Sequence, residues 1–225
     1  MKPCNTVKPF SFNPEHVNPG RPHGLYAVTA ARYPDHERLL AECEAALAGG
    51  ARLMQFRDKS ADAGWRRNVA MRLNDLCRRY QVPLIMNDDV GLAAEVGAAG
   101  VHLGQGDAGI AAAVAALGAG SIIGVSCHNR IELAEAAAGQ GATYLAFGSM
   151  FSSLSKPEAV LCTTQTLTAA RRFDLPLVAI GGITAENGGS LIAAGADYLA
   201  VISAVFDAPD VRAAAQRIAA LWPSS

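Results

Sequence analysis

The chain has 225 residues, of which 51% are hydrophobic, and a formal net charge of -1. This length supplies a sizeable core for one α/β domain, and the near-neutral charge excludes a general attraction to nucleic acid or to a membrane surface. The cysteines are odd in number and show no CxxC or CxxH spacing, which favours reduced thiols in a cytoplasmic protein. They stand at positions 4, 43, 77, 127 and 162.

Two segments of the sequence differ in composition from the rest. Residues 1–23 carry several prolines and no apolar h-region, so we expect an irregular N-terminal arm, followed by one domain over residues 24–225. Residues 108–127 carry no charge and are long enough to span a bilayer, but they are mostly alanine and glycine. Gly118 and Gly120 divide this segment, so we expect a helix and a short strand there and no membrane span.

Short apolar runs alternate with helical patterns along the rest of the chain. The runs predict strands over residues 24–29, 52–57, 83–87, 100–103, 121–125, 143–148, 176–180 and 197–202. The patterns predict helices over residues 35–48, 62–80, 89–96, 109–117, 130–139, 163–173, 185–194 and 208–221. Asp35 and Thr184 stand where the first and seventh helices need an N-cap.

This alternation predicts an α/β fold, a (β/α)8 TIM barrel of eight parallel strands. An open doubly wound sheet is the alternative, but it normally carries a glycine-rich fingerprint after its first strand. Here the first strand ends in VTAARYP, residues 28–34, without glycine. In a barrel the active groups lie at the carboxyl ends of the strands and in the loops that follow.

The second predicted strand ends in QFRDK, residues 55–59, in which polar and apolar side chains alternate. Alternate side chains of a barrel strand face the helices or the lumen, so Gln55, Arg57 and Lys59 point to the mouth. Two cations at this place favour a clamp for a phosphate or a diphosphate. A local ion pair of Arg57 with Asp58, and a solvated Lys59, is the structural alternative.

Carboxylates follow the next two predicted strands, in IMNDD (85–89) and HLGQGD (102–107). Because neighbouring strands lie about 4.8 Å apart, Asp88 and Asp107 are placed to converge on one ion. Ligand sets made only of oxygen favour Mg²⁺. Asp89 is expected to cap the third helix instead.

The last four predicted strands end in hydroxyl groups, glycines and one more cation. Ser126 follows the fifth strand in GVSCH, where the role of His128, structural or catalytic, stays open. The sixth is followed by FGSMFSSLSK (147–156), either a flexible loop or an anion-binding loop that ends on Lys156. AIGGIT (179–184) and AVIS (200–203) lie where this fold recurrently binds phosphate.

The predicted mouth therefore contains two anion sites. One is cationic and metal-assisted, at strands two to four, and the other consists of backbone and hydroxyl groups, at strands six to eight. Two phosphorylated ligands that meet in one cavity indicate a group transfer between them.

Taken in this order, the motifs resemble those of the thiamine phosphate synthase family over residues 25–221. The motifs are QFRDK, MNDD, GVHLGQGD, GVSCH, FGSMFSSLSK, AIGGIT and AVIS. The resemblance implies a magnesium-dependent transferase of thiamine biosynthesis that joins a hydroxymethylpyrimidine diphosphate to a thiazole phosphate and releases pyrophosphate. It also implies a dissociative mechanism, in which the diphosphate leaves first and the thiazole nitrogen attacks the resulting cation.

The same resemblance implies the role of individual residues. The pyrimidine diphosphate would be bound by Gln55, Phe56, Arg57, Asp58, Lys59, Asn87, Ser126 and Lys156. The catalytic residues among them would be Arg57, Lys59, Ser126 and Lys156. The thiazole phosphate would be bound by Ser153, Leu154, Ser155, Gly182, Ile202 and Ser203. The metal ligands would be Asp88 and Asp107.

Two departures from the family pattern are visible. Ala30 stands where the family often has an aspartate, and serines at 152, 153 and 155 replace the usual threonines and proline of the strand-six loop. Two other interpretations stay open: a thiazole tautomerase-like paralogue that uses His128 for proton transfer, and a non-catalytic sensor of phosphorylated ligands. We expect small phosphorylated partners, no nucleic acid and no membrane, and we leave association into a homo-oligomer open.

Overall fold

The structure, a computed structural model, describes residues 22–30, 33, 35–60, 62–152 and 160–222. Within them, eight parallel strands close into one barrel in sequence order, with the eighth strand paired to the first. The strands are β1 Gly24–Val28, β2 Ala51–Phe56, β3 Leu84–Asn87, β4 Gly100–Leu103, β5 Ile122–His128, β6 Tyr144–Phe147, β7 Leu177–Ile180 and β8 Tyr198–Val201. The predicted (β/α)8 barrel is confirmed, and the open doubly wound sheet is excluded.

The described part of the chain also contains nine α-helices. They are α1 His36–Ala48, α2 Ala63–Arg79, α3 Val90–Val96, α4 Ile110–Leu117, α5 Ile131–Gly139, α6 Thr164–Ala170, α7 Gly188–Ala193, α8 Ser203–Phe206 and α9 Val211–Ala219. Four helices begin after an aspartate whose carboxylate accepts a hydrogen bond from the N–H three residues on: Asp35, Asp62, Asp89 and Asp210. Each carboxylate satisfies one of the free donors of a helix start, and the predicted cap at Asp89 is confirmed.

Side chains along the strands alternate between two apolar layers. The outward layer, to which Met54 and Phe56 belong, packs against the helices in one large buried cluster. The inward layer, to which Tyr26, Leu53 and Tyr144 belong, forms a second cluster that fills the lumen. The barrel interior is therefore packed, and ligands have access only at its ends.

Most element ends differ from the prediction by one to three residues, and three differences matter for the site or for the end of the chain. β5 continues through Ser126 to His128 with a bulge between them, so both residues belong to a strand and not to a loop. The seventh helix begins at Gly188, and the predicted cap at Thr184 is wrong. The reason is Asn187, whose amide accepts from the Thr184 N–H at 2.9 Å and donates to the Gly182 carbonyl at 2.9 Å. These two bonds hold an extra turn before the helix starts.

The third difference concerns the end of the chain, where the sequence predicts one helix over residues 208–221. The structure has α8 directly after β8, and then α9, which Asp210 caps. Residues 1–21 lie outside the described residues, so the N-terminal arm and its boundary stay a prediction. No helix within the described ranges is long and apolar enough to cross a membrane.

Candidate active site

The loop after β2 carries its cations on a fixed backbone. Thr29, which is buried after β1, accepts a hydrogen bond from the Arg57 N–H at 2.8 Å and donates its hydroxyl to the Arg57 carbonyl at 3.0 Å. Arg57 and Asp58 are half-buried and Lys59 is exposed. Asp58 accepts from the Ser60 N–H at 2.6 Å and is not among the ion-paired carboxylates of the described residues. The structural alternative, a local pair of Arg57 with Asp58, therefore has no support.

A cavity of about 420 Å³ lies beside the strand ends that carry several of the predicted site residues. Its volume lies within the range of sites for small molecules. Charged and amide side chains supply most of the lining, which consists of Asp58, Lys59, Arg66, Asn87, Asp88, Asp89, Val90 and Ala108. The structure thus brings four of the predicted site residues together in one cavity.

Asp88 and Asp107 approach each other, as the strand spacing predicts. Asp88 has a φ of +64° and donates its N–H to the His102 carbonyl at 2.9 Å, while the Asn87 amide donates to its carboxylate at 2.5 Å. Asp107 accepts from the Gly104 N–H at 2.7 Å. Desolvation and the adjacent Asp107 carboxyl raise the pKa of Asp88 to about 6. Two carboxyls held this close need a proton or a cation between them.

The donors at this place fit Mg²⁺ better than an ion that needs a closed protein cage. Within the described ranges, no group of three or more His, Cys, Asp or Glu side chains could hold a metal ion. Mg²⁺ suits a pair of carboxylates, because it keeps several waters and completes its coordination with substrate phosphates. The two aspartates are therefore compatible with the predicted metal.

Gln55 and Ser126 lie at the two ends of a hydrogen-bonded chain inside the barrel. The Gln55 amide donates to the Tyr26 hydroxyl at 2.7 Å, and the hydroxyls of Tyr26 and Tyr144 are 2.9 Å apart. The Tyr144 hydroxyl lies 2.8 Å from Nδ1 of His102, and Nε2 of His102 lies 2.9 Å from Oγ of Ser126. Burial lowers the pKa of His102 to about 4, so its ring is neutral at pH 7.

The second predicted anion site lies at the ends of β7 and β8. Gly182 has a φ of +62°, and a Cβ there would lie 2.7 Å from the Ser152 carbonyl, so the loop after β6 passes close to its backbone. Ile202 is half-buried and Ser203 is exposed at the start of α8. The other residues predicted for this site, Ser153, Leu154 and Ser155, lie outside the described residues, and so does Lys156, which is predicted to bind the pyrimidine diphosphate.

Sequence reasoning missed several residues of the mouth and lumen. Arg66, in the first turn of α2, lines the cavity; its Nη1 lies 3.5 Å from the Asp89 carboxylate, and its Nε is buried without a hydrogen-bond partner among the described residues. In the sequence, Arg66 looks like an ordinary surface arginine of an amphipathic helix. Tyr26, His102 and Tyr144 sit in apolar strands, where only their inward register distinguishes them.

Fold and site together define a class of protein. A closed parallel barrel that gathers cations, two converging carboxylates and a close-approaching glycine backbone at its strand ends is typical of enzymes that act on phosphorylated small molecules. The polar groups lie on one face, at the carboxyl ends of the strands, where enzymes of this fold carry their chemistry.

Comparison with known proteins identifies the family. Residues 25–205 match the family model described as thiamine monophosphate synthase. The thiamine-phosphate synthase of Thiobacillus denitrificans is 54% identical over 202 residues, which cover 89% of this chain and 95% of that protein. The thiamine-phosphate synthase of Chromobacterium violaceum is 51% identical over 201 residues, with 89% and 97% covered.

A solved structure agrees with these relatives. Thiamine phosphate pyrophosphorylase from Pyrococcus furiosus matches with a TM-score of 0.80 and 33% identity, and the match covers 88% of this chain and 94% of that one. The chain belongs to the thiamine monophosphate synthase family, and it is a transferase of thiamine biosynthesis.

Proposed function

We propose that the chain joins a hydroxymethylpyrimidine diphosphate to a thiazole phosphate, which gives thiamine phosphate and pyrophosphate. The observation that carries the proposal is that Lys59 and Asp88 line one cavity, with the Asp107 carboxyl beside Asp88 and the charge of Arg57 close by. A departing diphosphate accumulates negative charge, and cations and a metal ion at this place would stabilise it. Relatives named thiamine-phosphate synthase at 50% identity and above support the assignment.

The pyrimidine diphosphate is assigned to the ends of β2 to β5. Arg57 and Lys59 neutralise the diphosphate oxygens, and Asn87 and Ser126 supply hydrogen bonds. Phe56 is 2% exposed and packs toward the helices, so its contribution is limited to the backbone. Gln55, Asp58 and Lys156 complete the set that the family resemblance implies.

Asp88 and Asp107 are assigned to Mg²⁺. When bound, the ion supplies positive charge that stabilises the leaving diphosphate. The chain contributes by holding the two carboxylates in place: the Gly104 N–H binds Asp107, and the Asn87 amide binds Asp88.

The reaction itself needs no side-chain nucleophile. The bond between the pyrimidinylmethyl carbon and the diphosphate oxygen breaks, and its electron pair leaves with the diphosphate. The thiazole nitrogen then donates its lone pair to the same carbon. The residues of the chain act by binding the two substrates, orienting them and excluding water from the cation between them.

The thiazole phosphate is assigned to the ends of β6 to β8. The backbone at Gly182 lies close to the loop after β6, because the residue has no side chain. Ile202 and Ser203 lie at the end of the neighbouring strand. Ser153, Leu154 and Ser155 are assigned here from the resemblance alone.

A turnover assay tests this function directly. With both substrates and Mg²⁺, we expect thiamine phosphate and pyrophosphate to form in equal amounts, and with either substrate omitted we expect neither. Conversion of the thiazole phosphate alone, without pyrophosphate, would instead identify the tautomerase-like alternative. Tight binding of both ligands without turnover would identify the sensor.

We also propose a cytoplasmic location and partners limited to small phosphorylated molecules. The described cysteines, Cys43, Cys77, Cys127 and Cys162, are free thiols, which suits a reducing compartment. The net charge of -1 provides no broad field that would attract nucleic acid. Association into a homo-oligomer stays open.

A further inference from the structure

The hydrogen-bonded chain in the lumen has a direction, which follows from the number of protons that each member has to give. The Gln55 amide donates to the Tyr26 hydroxyl, and Tyr26 has no further acceptor among the described residues except the Tyr144 hydroxyl. The single proton of Tyr26 therefore goes to Tyr144. The proton of Tyr144 in turn goes to Nδ1 of His102, 2.8 Å away.

This order of hydrogen-bond donors determines which nitrogen of the His102 ring carries the proton. A neutral imidazole carries one proton, and a nitrogen that accepts a hydrogen bond cannot hold it. His102 therefore carries its proton on Nε2 and donates it to Oγ of Ser126 at 2.9 Å. The hydroxyl proton of Ser126 is left over, and it is free to be donated toward the mouth.

The five hydrogen-bonded residues are held rigidly, so the direction of their hydrogen bonds stays fixed. All five members belong to strands of the barrel, and the rings of His102 and Tyr144 stack with 5.6 Å between their centroids. Gly124 leaves the space that the Tyr144 ring occupies, since a Cβ at this position would lie 1.8 Å from Cζ of the tyrosine. Consecutive hydrogen bonds of one direction also polarise one another and strengthen the last donor.

We propose that Tyr26, Tyr144 and His102 are positioning residues that act through Ser126, by holding its hydroxyl as a hydrogen-bond donor toward the leaving diphosphate. The proposal rests on the proposed function. Negative charge on the diphosphate grows as it departs, so a donor fixed in advance is worth more in the transition state than in the bound substrate. The effect is therefore expected in kcat more than in KM.

Kinetics of matched tyrosine variants test the role. Tyr144→Phe removes one donor of the chain, and we expect kcat to fall about tenfold with KM changed less than about twofold. Tyr198→Phe is the control, because Tyr198 is an equally buried lumen tyrosine that stands outside the chain; its kcat should stay within about twofold. In a Ser126→Ala background, Tyr144→Phe should cause no further loss. If the loss of kcat in the double variant equals the product of the two single losses, Tyr144 does not act through Ser126.

Nitrogen NMR of the imidazole rings tests the direction without any substrate. In the full-length wild-type protein near neutral pH, labelled with ¹⁵N-histidine, His102 should show a protonated Nε2 and an unprotonated Nδ1. The His102→Gln variant assigns its signals. A proton on Nδ1 would reverse the chain and overturn the proposal, even where turnover is as proposed. If Nε2 is protonated but no turnover is found, the proposed function is wrong and the direction of the hydrogen bonds from Gln55 to Ser126 still holds.

Discussion

Asp88 and Asp107 form a pair that is unfavourable without a cation, because two like charges meet at a partly desolvated place. We predict that Asp107→Asn lowers kcat/KM for the pyrimidine diphosphate by about 10²- to 10³-fold in the presence of Mg²⁺. The asparagine still accepts from the Gly104 N–H, so the loop should keep its shape. Pyrophosphate release gives the readout.

A second carboxylate serves as the control for that variant. Asp62 caps α2 through the Trp65 N–H at 2.9 Å and does not line the cavity. Asparagine is about as good an N-cap as aspartate, so Asp62→Asn should keep both stability and turnover. Turnover of Asp107→Asn within twofold of the wild type would remove Asp107 from the metal site.

Arg66 is a cation of the cavity whose Nε is buried without a described partner. We predict that Arg66→Gln raises KM for the pyrimidine diphosphate about tenfold, because a charge-assisted contact with the diphosphate is lost. Arg67→Gln is the matched control, since Arg67 is exposed and pairs with Glu95. Equal KM values for the two variants would show that Arg66 only supports Asp89.

These residues differ in how far the sequence could reveal them. Asp88 directly follows β3 and Asp107 lies in the short loop after β4, so the spacing of these neighbouring strands brings them together. Arg66 lies one helical turn into α2, and its direction depends on how the helix packs on the barrel. The partners of Ser126 were hidden because Tyr26 and Tyr144 are ordinary strand residues, and only the closed barrel brings β1, β4 and β6 into one lumen.

Gly124 in β5 leaves space for the Tyr144 ring of the neighbouring strand β6. We predict that Gly124→Ala lowers the free energy of unfolding by about 1–3 kcal/mol, because the added Cβ overlaps the Tyr144 ring and forces repacking. Urea denaturation measures the change. The control is Gly139→Ala at the end of α5, where nothing lies within 4 Å of an added Cβ. There we expect no loss and a gain of at most about 1 kcal/mol. Equal stability of the two variants would contradict the packing described here.

Element boundaries were predictable where a single signal dominates. The aspartates that cap α1 and α3 are local signals, and both were found from the sequence. The start of α7 was not, because Thr184 and Asn187 are both good caps and the outcome depends on a bond from Asn187 to the Gly182 carbonyl. The extent of β5 depends on a bulge, and its pairing with β6 cannot be seen from one strand alone.

The first and last helices, α1 and α9, pack against each other where β1 pairs with β8 and closes the barrel. Gly49, at the end of α1, lies against α9, where a Cβ would be 2.6 Å from that of Ala215 and 2.7 Å from the Arg212 carbonyl. We predict that Gly49→Ala costs about 1–3 kcal/mol of unfolding free energy, because the added Cβ overlaps α9. We also predict that urea denaturation stays a single transition, in which α1 and α9 unfold together with the barrel. A separate early transition would show that α9 unfolds independently.

The overall fold was the feature that the sequence predicted best. Eight apolar runs that alternate with helical patterns, without a dinucleotide-binding fingerprint, led to the closed barrel. The order of the motifs then placed the chain in its family. What the pattern left open was the packing in the lumen, because the size and polarity of inward residues such as Tyr26 and Gln55 become meaningful only when eight strands share one interior.

The central claim is that the ends of β2 to β4 hold the diphosphate that leaves. Crystals grown with Mn²⁺ in place of Mg²⁺, and with pyrophosphate, test it most directly through anomalous scattering. We predict one metal peak between the carboxylates of Asp88 and Asp107, with pyrophosphate bound to that metal and contacted by Arg57 and Lys59. Metal and pyrophosphate at the ends of β7 and β8, or at the opposite end of the barrel, would contradict the account.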